Sequence, residues 1–170
     1  YYDQAEKHLA PFLKQRGDRI FLISKAIVPI DKAPHETPTA SELAAAASKW
    51  SALLDESLLE MKVDHVNAYY QMGANNPGVI GSEELYRAFQ NAKAAGKVSH
   101  LGLSTHQNAE AVLTKAIETG WFDLAQIAVT PGGWYDWETK KVLPDTLPMH
   151  KLRPLFDRAR SSGMGLIGMK

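Results

Sequence analysis

Short apolar runs alternate with segments of helical periodicity along the whole chain. Residues 4–15 place apolar side chains at helical spacing, and the apolar run 19–24 that follows is typical of a buried strand. The same pair recurs four times. The further predicted helices are 41–62, 82–96, 108–119 and 150–162, and the further predicted strands are 63–70, 98–103, 124–129 and 165–169. The pattern therefore predicts five helix–strand units in strict alternation.

Strict alternation indicates parallel strands joined by right-handed crossovers, as in an open doubly wound sheet or a closed barrel. The nucleotide-binding pattern GxGxxG follows none of the strands, which disfavours a dinucleotide-binding open sheet. The long predicted loops 26–40, 71–81 and 130–148 all follow strands, as they do on the active face of a barrel. We therefore expect an α/β fold in which residues 1–170 form one domain, part of a parallel (β/α)8 TIM barrel with about five of its strands.

The two ends of the chain do not resemble the ends of a complete domain. It begins with Tyr1 and Tyr2 rather than with methionine, and residues 165–170 resemble a strand in mid-course. Five strands cannot close an eight-stranded barrel. We expect further sequence on both sides.

The charge balance points to a small molecule as the partner. Nineteen basic residues balance nineteen acidic ones, so nothing indicates binding to nucleic acid or to an anionic membrane. The absence of cysteine excludes a disulfide framework, a thiolate nucleophile and a zinc–cysteine site. No apolar run approaches the roughly 20 residues of a membrane helix, and no His/Asp/Glu cluster has metal-binding spacing. We expect a cytoplasmic protein, with the periplasm as the alternative and with homo-oligomerisation left open.

Polar residues at the carboxyl ends of the predicted strands would lie in the mouth of a barrel. Lys25 directly follows the first strand, where an ammonium can polarise a neighbouring tyrosine hydroxyl into a proton donor. A solvent-facing rim lysine is the alternative. Gln126 lies inside an apolar strand, where a polar group needs a partner, which favours a ligand contact. The other candidates are Ser24, Gln71, Met72, Ser104, Thr105, His106 and Lys170, together with Tyr2 before the first helix.

Several segments resemble the aldo-keto reductases, in the same order and spacing. Residues 2–6 are similar to the family's tyrosine–glycine pair with a glutamate four residues after the tyrosine. Residues 21–25 resemble its strand that ends in threonine or serine and lysine. Residues 57–70 resemble its SLxxLxxDYIDLYLIH stretch, and residues 94–104 resemble GKVRxIGVSN. The ending GLIGMK, residues 165–170, is closer to the branch of the family whose strand ends in MK.

The resemblance implies strands three to seven of a (β/α)8 barrel that reduces aldehydes and ketones with NADPH. In the family a hydride passes from the nicotinamide to the carbonyl carbon, and a tyrosine protonates the oxygen with help from a lysine, a histidine and an aspartate. Matched by motif, the tyrosine is Tyr2 and the lysine is Lys25. Ser104, Thr105 (where asparagine is usual) and Gln126 would hold the nicotinamide carboxamide.

The match fails at the histidine. Aligning residues 67–71 with DLYLI places Met72 at the histidine position, and a thioether cannot donate a hydrogen bond. His106 is an alternative source of an imidazole, although a different strand supplies it. Asp3 in place of glycine and Asn67 in place of aspartate are lesser departures.

Three functions remain open at this point. The first is NADPH-dependent reduction of aldehydes or ketones. The second is a non-catalytic binding or regulatory subunit related to the aldo-keto reductases, and Met72 favours it. The third is an unrelated barrel enzyme that uses Lys25 as a Schiff-base amine, which would leave Tyr2, Ser104 and Gln126 unexplained.

Overall fold

Five parallel strands form one sheet, and each strand is connected to the next by at least one helix. The computed structural model describes residues 4–129, 135–136, 139–142 and 147–169. The sheet has the order β1-β2-β3-β4-β7, and β5 and β6 form a separate antiparallel pair. The strands are β1 Ile23–Ile27, β2 Val66–Met72, β3 Val98–Thr105, β4 Leu124–Ala128, β5 Tyr135–Asp136, β6 Lys141–Val142 and β7 Gly165–Met169. The prediction of a parallel α/β fold is confirmed.

The helices pack on one face of this sheet. They are α1 Ala5–Arg16, α2 Ala40–Met61, α3 Pro77–Ile80, α4 Glu83–Ala94, α5 Ala109–Thr119 and α6 Arg153–Ser161, with short 3-10 helices at Gly17–Arg19 and Met149–Leu152. The indole of Trp50 in α2 lies 4.8 Å, centroid to centroid, from the ring of Tyr69 in β2. Both side chains are buried, as are Leu101 and Leu103 of β3. The core therefore lies between the sheet and its helices.

The opposite face of the sheet is called the inner face here and carries Lys25, Tyr70 and Gly102. Side chains alternate between the two faces along a strand, so Tyr70 points away from the helix that Tyr69 contacts. Lys25 pairs with Tyr70, and Tyr70 pairs with Gly102. The Tyr70 ring lies across Gly102 so closely that a Cβ at that position would overlap it. Glycine is thus required where the ring crosses β3.

Two strands lie several residues further along the chain than predicted. The first, expected at 19–24, is Ile23–Ile27, and the second, expected at 63–70, is Val66–Met72. Lys62 ends α2 in the left-handed conformation, and the amide of Val63 donates to the carbonyl of Leu58, so Val63 closes the helix. Lys25 was predicted to follow the first strand. That prediction was wrong, because Lys25 lies in the middle of β1.

The helix starts differ from the prediction in one place and agree in another. Thr39, not Ser41, is the N-cap of α2, because Thr39 and Glu42 form a reciprocal capping box. Ser82 caps α4 as predicted, and its hydroxyl accepts from the amide of Leu85 at 3.2 Å. The predicted loop 71–81 contains the short helix α3, which Asn76 caps.

The last third of the chain contains structure that the hydrophobic pattern did not indicate. The predicted loop 130–148 contains the β5–β6 pair among its described residues. The predicted helix 150–162 is α6, which begins at Arg153 after a 3-10 turn. In the described part of the chain, no helix is both long enough and apolar enough to cross a membrane.

Candidate functional site

Three candidate side chains lie in one row near the carboxyl ends of the strands. Met72 pairs with Ser104, and Ser104 pairs with Gln126, so these neighbours point to the same face of the sheet. Ser104 is buried and Gln126 is half-buried. The row lies one step beyond Lys25 and Tyr70 along the inner face. The fold therefore brings Lys25, Ser104 and Gln126 to one surface, although they are 101 residues apart in sequence at most.

Lys25 is half-buried and borders a large cavity beside β1. The cavity has a volume of about 610 Å³, and residues of α1, β1 and α2 line it together with Met72. The neighbouring Ser24 also lines this cavity, but it lies on the helix side of β1, where its hydroxyl donates to a carboxylate oxygen of Glu6 at 2.5 Å. Ser24 therefore joins β1 to α1, and Lys25 is the residue of this pair that faces the inner side.

Thr105 differs from Ser104 in both its face and its hydrogen bonds. Its side chain is completely buried, and alternation places it on the helix side of β3. Its hydroxyl donates to the carbonyl of Gln107 at 2.5 Å and accepts from the Gln107 amide at 3.3 Å. These two bonds form the turn that ends β3. Thr105 therefore has a local role at this turn. Its contact with the cofactor stays a prediction.

His106 directly follows β3 and is half-buried. Burial is the larger cause that lowers the pKa of its imidazole, and the positive charge of Lys25 lowers that pKa further. Both effects favour the neutral imidazole. Lys25 and His106 therefore interact electrostatically. The position at which the sequence analysis expected the family's histidine is occupied by the half-buried thioether of Met72.

Tyr70 carries a buried hydroxyl, and the sequence analysis did not select this residue as a candidate for the site. Burial raises the pKa of its phenol to about 12, and its hydroxyl has no hydrogen-bond partner among the described residues. It is in register with Lys25 on the inner face. The apolar run around Tyr70 does not indicate an unpaired hydroxyl on the inner face, because a tyrosine in a strand is ordinarily a core residue.

Two of the predicted site residues cannot be placed. Tyr2, the expected proton donor, lies outside the described residues, as does Lys170 at the end of β7. The assignment of Tyr2 stays a prediction that rests on the motif in residues 2–6.

A second, smaller cavity lies at the carboxyl ends of β1 and β2. It has a volume of about 240 Å³, and the loops that follow these two strands enclose it. Gln71 lines it, so it is called the Gln71 cavity below. The sequence indicated Gln71 as a residue of the barrel mouth. It did not indicate which loop residues lie near Gln71, because the long loop 26–40 has no periodicity.

Comparison with known protein families gives a match over most of the chain. A model of the aldo/keto reductase family matches residues 1–143. The chain belongs to the aldo-keto reductase family. This membership confirms the resemblance seen in the sequence and contradicts the third function considered, an unrelated barrel enzyme. A search of curated proteins found no match.

Solved aldo-keto reductases are similar to the described fold. A protein from Pseudomonas aeruginosa assigned to these reductases has a TM-score of 0.63 at 17% identity, covering 98% of this chain and 56% of its own. An aldo-keto reductase from Bacillus halodurans has a TM-score of 0.62 at 15% identity, covering 96% of this chain and 44% of its own. One from Bombyx mori, in complex with NADP, has a TM-score of 0.56 at 17% identity, covering 98% and 48%. The chain thus has the fold of these barrels and spans about half of their length.

Proposed function

We propose that the protein is an NADPH-dependent reductase of aldehydes or ketones. The observation that carries the proposal is that Lys25 shares the inner face with the row Met72–Ser104–Gln126 in a member of the aldo-keto reductase family. These four side chains lie on one face only because the strands pair in this register. The strand pairing therefore supports the proposal independently of the sequence motifs.

Ser104 and Gln126 fit a nicotinamide carboxamide. The hydroxyl and the side-chain amide are neutral groups that both donate and accept hydrogen bonds, and they lie on neighbouring strands. Gln126 is half-buried in an otherwise apolar strand, where its amide benefits from a bound partner. NADPH, when bound, supplies the hydride. The two residues would orient the nicotinamide ring against the sheet.

The proton would come from the protein. In this proposal Tyr2 donates its phenolic proton to the carbonyl oxygen of the substrate, and Lys25 favours the phenolate that remains by its positive charge. Met72 lines the same cavity as Lys25 but can take no part in proton transfer. The neutral imidazole of His106 is the candidate for the missing hydrogen bond to the carbonyl.

A second candidate function is a binding or regulatory subunit that holds the cofactor without turnover. Met72 is the observation in its favour, because it stands where the family's histidine is expected. In that case Ser104 and Gln126 would still bind nicotinamide, whereas Tyr2 and Lys25 would have no catalytic effect.

Turnover and binding assays on the full-length protein distinguish these two functions. We expect NADPH oxidation with a panel of aldehydes and ketones, and we expect Tyr2→Phe to lower kcat by about 10²-fold or more, since a positioned proton donor contributes that much. The Kd for NADPH, measured by fluorescence titration, should not change. Tyr86→Phe is the matched control, because Tyr86 stacks on Trp121 at 4.4 Å on the helix side.

Two outcomes contradict the proposal. Turnover that survives Tyr2→Phe would remove Tyr2 as the proton donor. NADPH binding without oxidation of any carbonyl would favour the binding subunit.

A further inference from the structure

A serine and a histidine form a hydrogen-bonded pair at the amino ends of β2 and β3. His65 directly precedes β2, and Ser99 is the second residue of β3. The hydroxyl oxygen of Ser99 lies 3.1 Å from Nε2 of His65, and Nδ1 of His65 lies 2.7 Å from the carbonyl oxygen of Gly96. Met72 and Ser104 lie at the other ends of the same two strands, so the pair is separate from the proposed reductase site.

The carbonyl of Gly96 determines the direction of both hydrogen bonds. A carbonyl oxygen can only accept, so Nδ1 of His65 must carry the hydrogen that it donates. In the neutral ring Nε2 is then an acceptor, and the hydroxyl of Ser99 must donate to it. The proton of the serine therefore already points at the nitrogen that would remove it.

Backbone hydrogen bonds hold the imidazole in place independently of Ser99. The amides of Gly96 and Lys97 both donate to carbonyls near the end of α4 at 3.0 Å, with Gly96 at a φ of 75°, which is the Schellman arrangement. The amide of Val66, next to His65, donates to the carbonyl of Lys97 at 3.0 Å. The carbonyl that orients the imidazole is thus part of a fixed turn.

Both side chains can be reached from solvent, since His65 is exposed and Ser99 is half-buried. Neither residue belongs to the family patterns that the sequence resembles. The stretch DYIDLYLIH has tyrosine at the position of His65, and GKVRxIGVSN has arginine at the position of Ser99. A hydroxyl, a base within hydrogen-bonding distance and a third group that orients the base are the arrangement that covalent catalysis by serine requires.

We propose that Ser99 and His65 hydrolyse activated esters, as a second activity at the amino ends of the strands. Oγ of Ser99 bonds to the acyl carbon of the ester, and the bond from that carbon to the leaving oxygen breaks. Nε2 of His65 takes the serine proton and passes it to the leaving oxygen. Water then bonds to the acyl carbon, the bond to Oγ breaks, and the proton of the water returns through Nε2 to Ser99 as the carboxylic acid leaves.

The openness of the site limits the class of ester. Water solvates the oxygen anion of the intermediate, so the gain in rate comes mainly from the base and is about 10²-fold. A gain of this size suffices for esters with a good leaving group, such as 4-nitrophenyl acetate. We expect no hydrolysis of ordinary alkyl esters.

Covalent labelling of the full-length protein tests the proposal. A fluorophosphonate probe, which reacts with activated serines, should form an adduct on Ser99 that peptide mass spectrometry locates. His65→Gln keeps a group that can donate to the Gly96 carbonyl but removes the base. It should slow both the labelling of Ser99 and the hydrolysis of 4-nitrophenyl acetate by about 10²-fold. The control Ser41→Ala, at an exposed serine in the first turn of α2, should change neither rate.

The second activity and the proposed reductase function can fail separately. Oxidation of NADPH by a carbonyl compound should proceed at the same rate in His65→Gln as in the unchanged protein, because His65 lies outside the proposed reductase site. Equal labelling of Ser99 in these two proteins would overturn the proposal and leave the hydrogen bond with a structural role alone. Labelling of Ser41 as fast as that of Ser99 would overturn it as well.

A cysteine substitution keeps the proposal testable if His65→Gln does not fold. In Ser99→Cys the imidazole should favour the thiolate, so iodoacetamide should alkylate position 99 at least about tenfold faster than position 41 in Ser41→Cys. Peptide mass spectrometry measures both rates. Equal rates would show that His65 does not act as a base on its neighbour.

Discussion

At the residue scale, Lys25 of β1 and His106 after β3 interact electrostatically, although β2 lies between their strands. Lys25 is in the middle of β1, and His106 directly follows β3, two residues beyond the inner-face residue Ser104. The lysine charge acts on the imidazole and adds to the effect of burial. A neutral imidazole at this place can donate one hydrogen bond and accept another, which the thioether of Met72 cannot do.

Replacing Lys25 should reveal this coupling directly. We expect Lys25→Met to raise the pKa of His106, as measured by an NMR titration of the imidazole, because one of the two effects that lower it is removed. The value should stay below the ordinary one, since burial remains. Lys97→Met is the matched control, because Lys97 pairs with Asp55 at 2.6 Å on the exposed surface. An unchanged titration of His106 in Lys25→Met would show that the two residues do not interact.

At the element scale, the start of α2 ties the loop of the Gln71 cavity to the longest described helix. Glu42 Oε2 accepts from the amide of Thr39 at 2.8 Å, and Glu42 Oε1 lies 3.0 Å from the ammonium of Lys32. The hydrogen bond from Thr39 is the main cause that lowers the pKa of Glu42 to about 2, followed by the bond from Lys32. Glu42 therefore stays ionised and holds both the helix end and the loop. Ser41, which the sequence suggested as the cap, lies exposed in the first turn.

Two alanine substitutions distinguish the observed cap from the predicted one. Thr39→Ala should lower the free energy of unfolding by about 1 kcal/mol, the usual loss for an N-cap threonine. Ser41→Ala should change it by less than about 0.5 kcal/mol, as is usual for an exposed position without such a role. Urea denaturation followed by circular dichroism measures both. The reverse order would mean that the helix begins at Ser41.

At the scale of the whole molecule, the described sheet has two edge strands and an incompletely covered inner face. β1 and β7 each pair with one neighbour among the described strands. Ile23 and Ile27 of β1 are 37% and 40% exposed, and Ile167 of β7 is 36% exposed. In a closed barrel such inward side chains are packed in layers. The described part of the chain therefore presents apolar surface next to unpaired backbone groups.

This surface should make the 170-residue chain self-associate when it is produced by itself. We expect elution ahead of a monomer in size-exclusion chromatography and binding of the dye ANS, because exposed edges and apolar patches favour association. The double substitution Ile23→Lys and Ile167→Lys should reduce both effects. A monomeric chain that does not bind the dye would contradict this prediction.

The amino-acid sequence alone determined the kind and order of the main elements and the family. Periodicity reports which side chains are buried, so the five strands and the helices between them could be predicted, as could the cap at Ser82. The motifs predicted Lys25, Ser104 and Gln126 as site residues, and the strand register puts them on one face. Tyr2 is still a prediction from its motif.

The tertiary structure decided where strands end, which face each polar residue takes and how the loops enclose the Gln71 cavity. Strand ends depend on hydrogen bonds to a neighbouring strand, such as the pairing of Ile23 with Ala68, which are distant in sequence and leave no local pattern. The distinction between Ser104 on the inner face and Thr105 at the turn arises in the same way. A shift of one residue in register exchanges the two faces of a strand, so only the paired sheet could assign them.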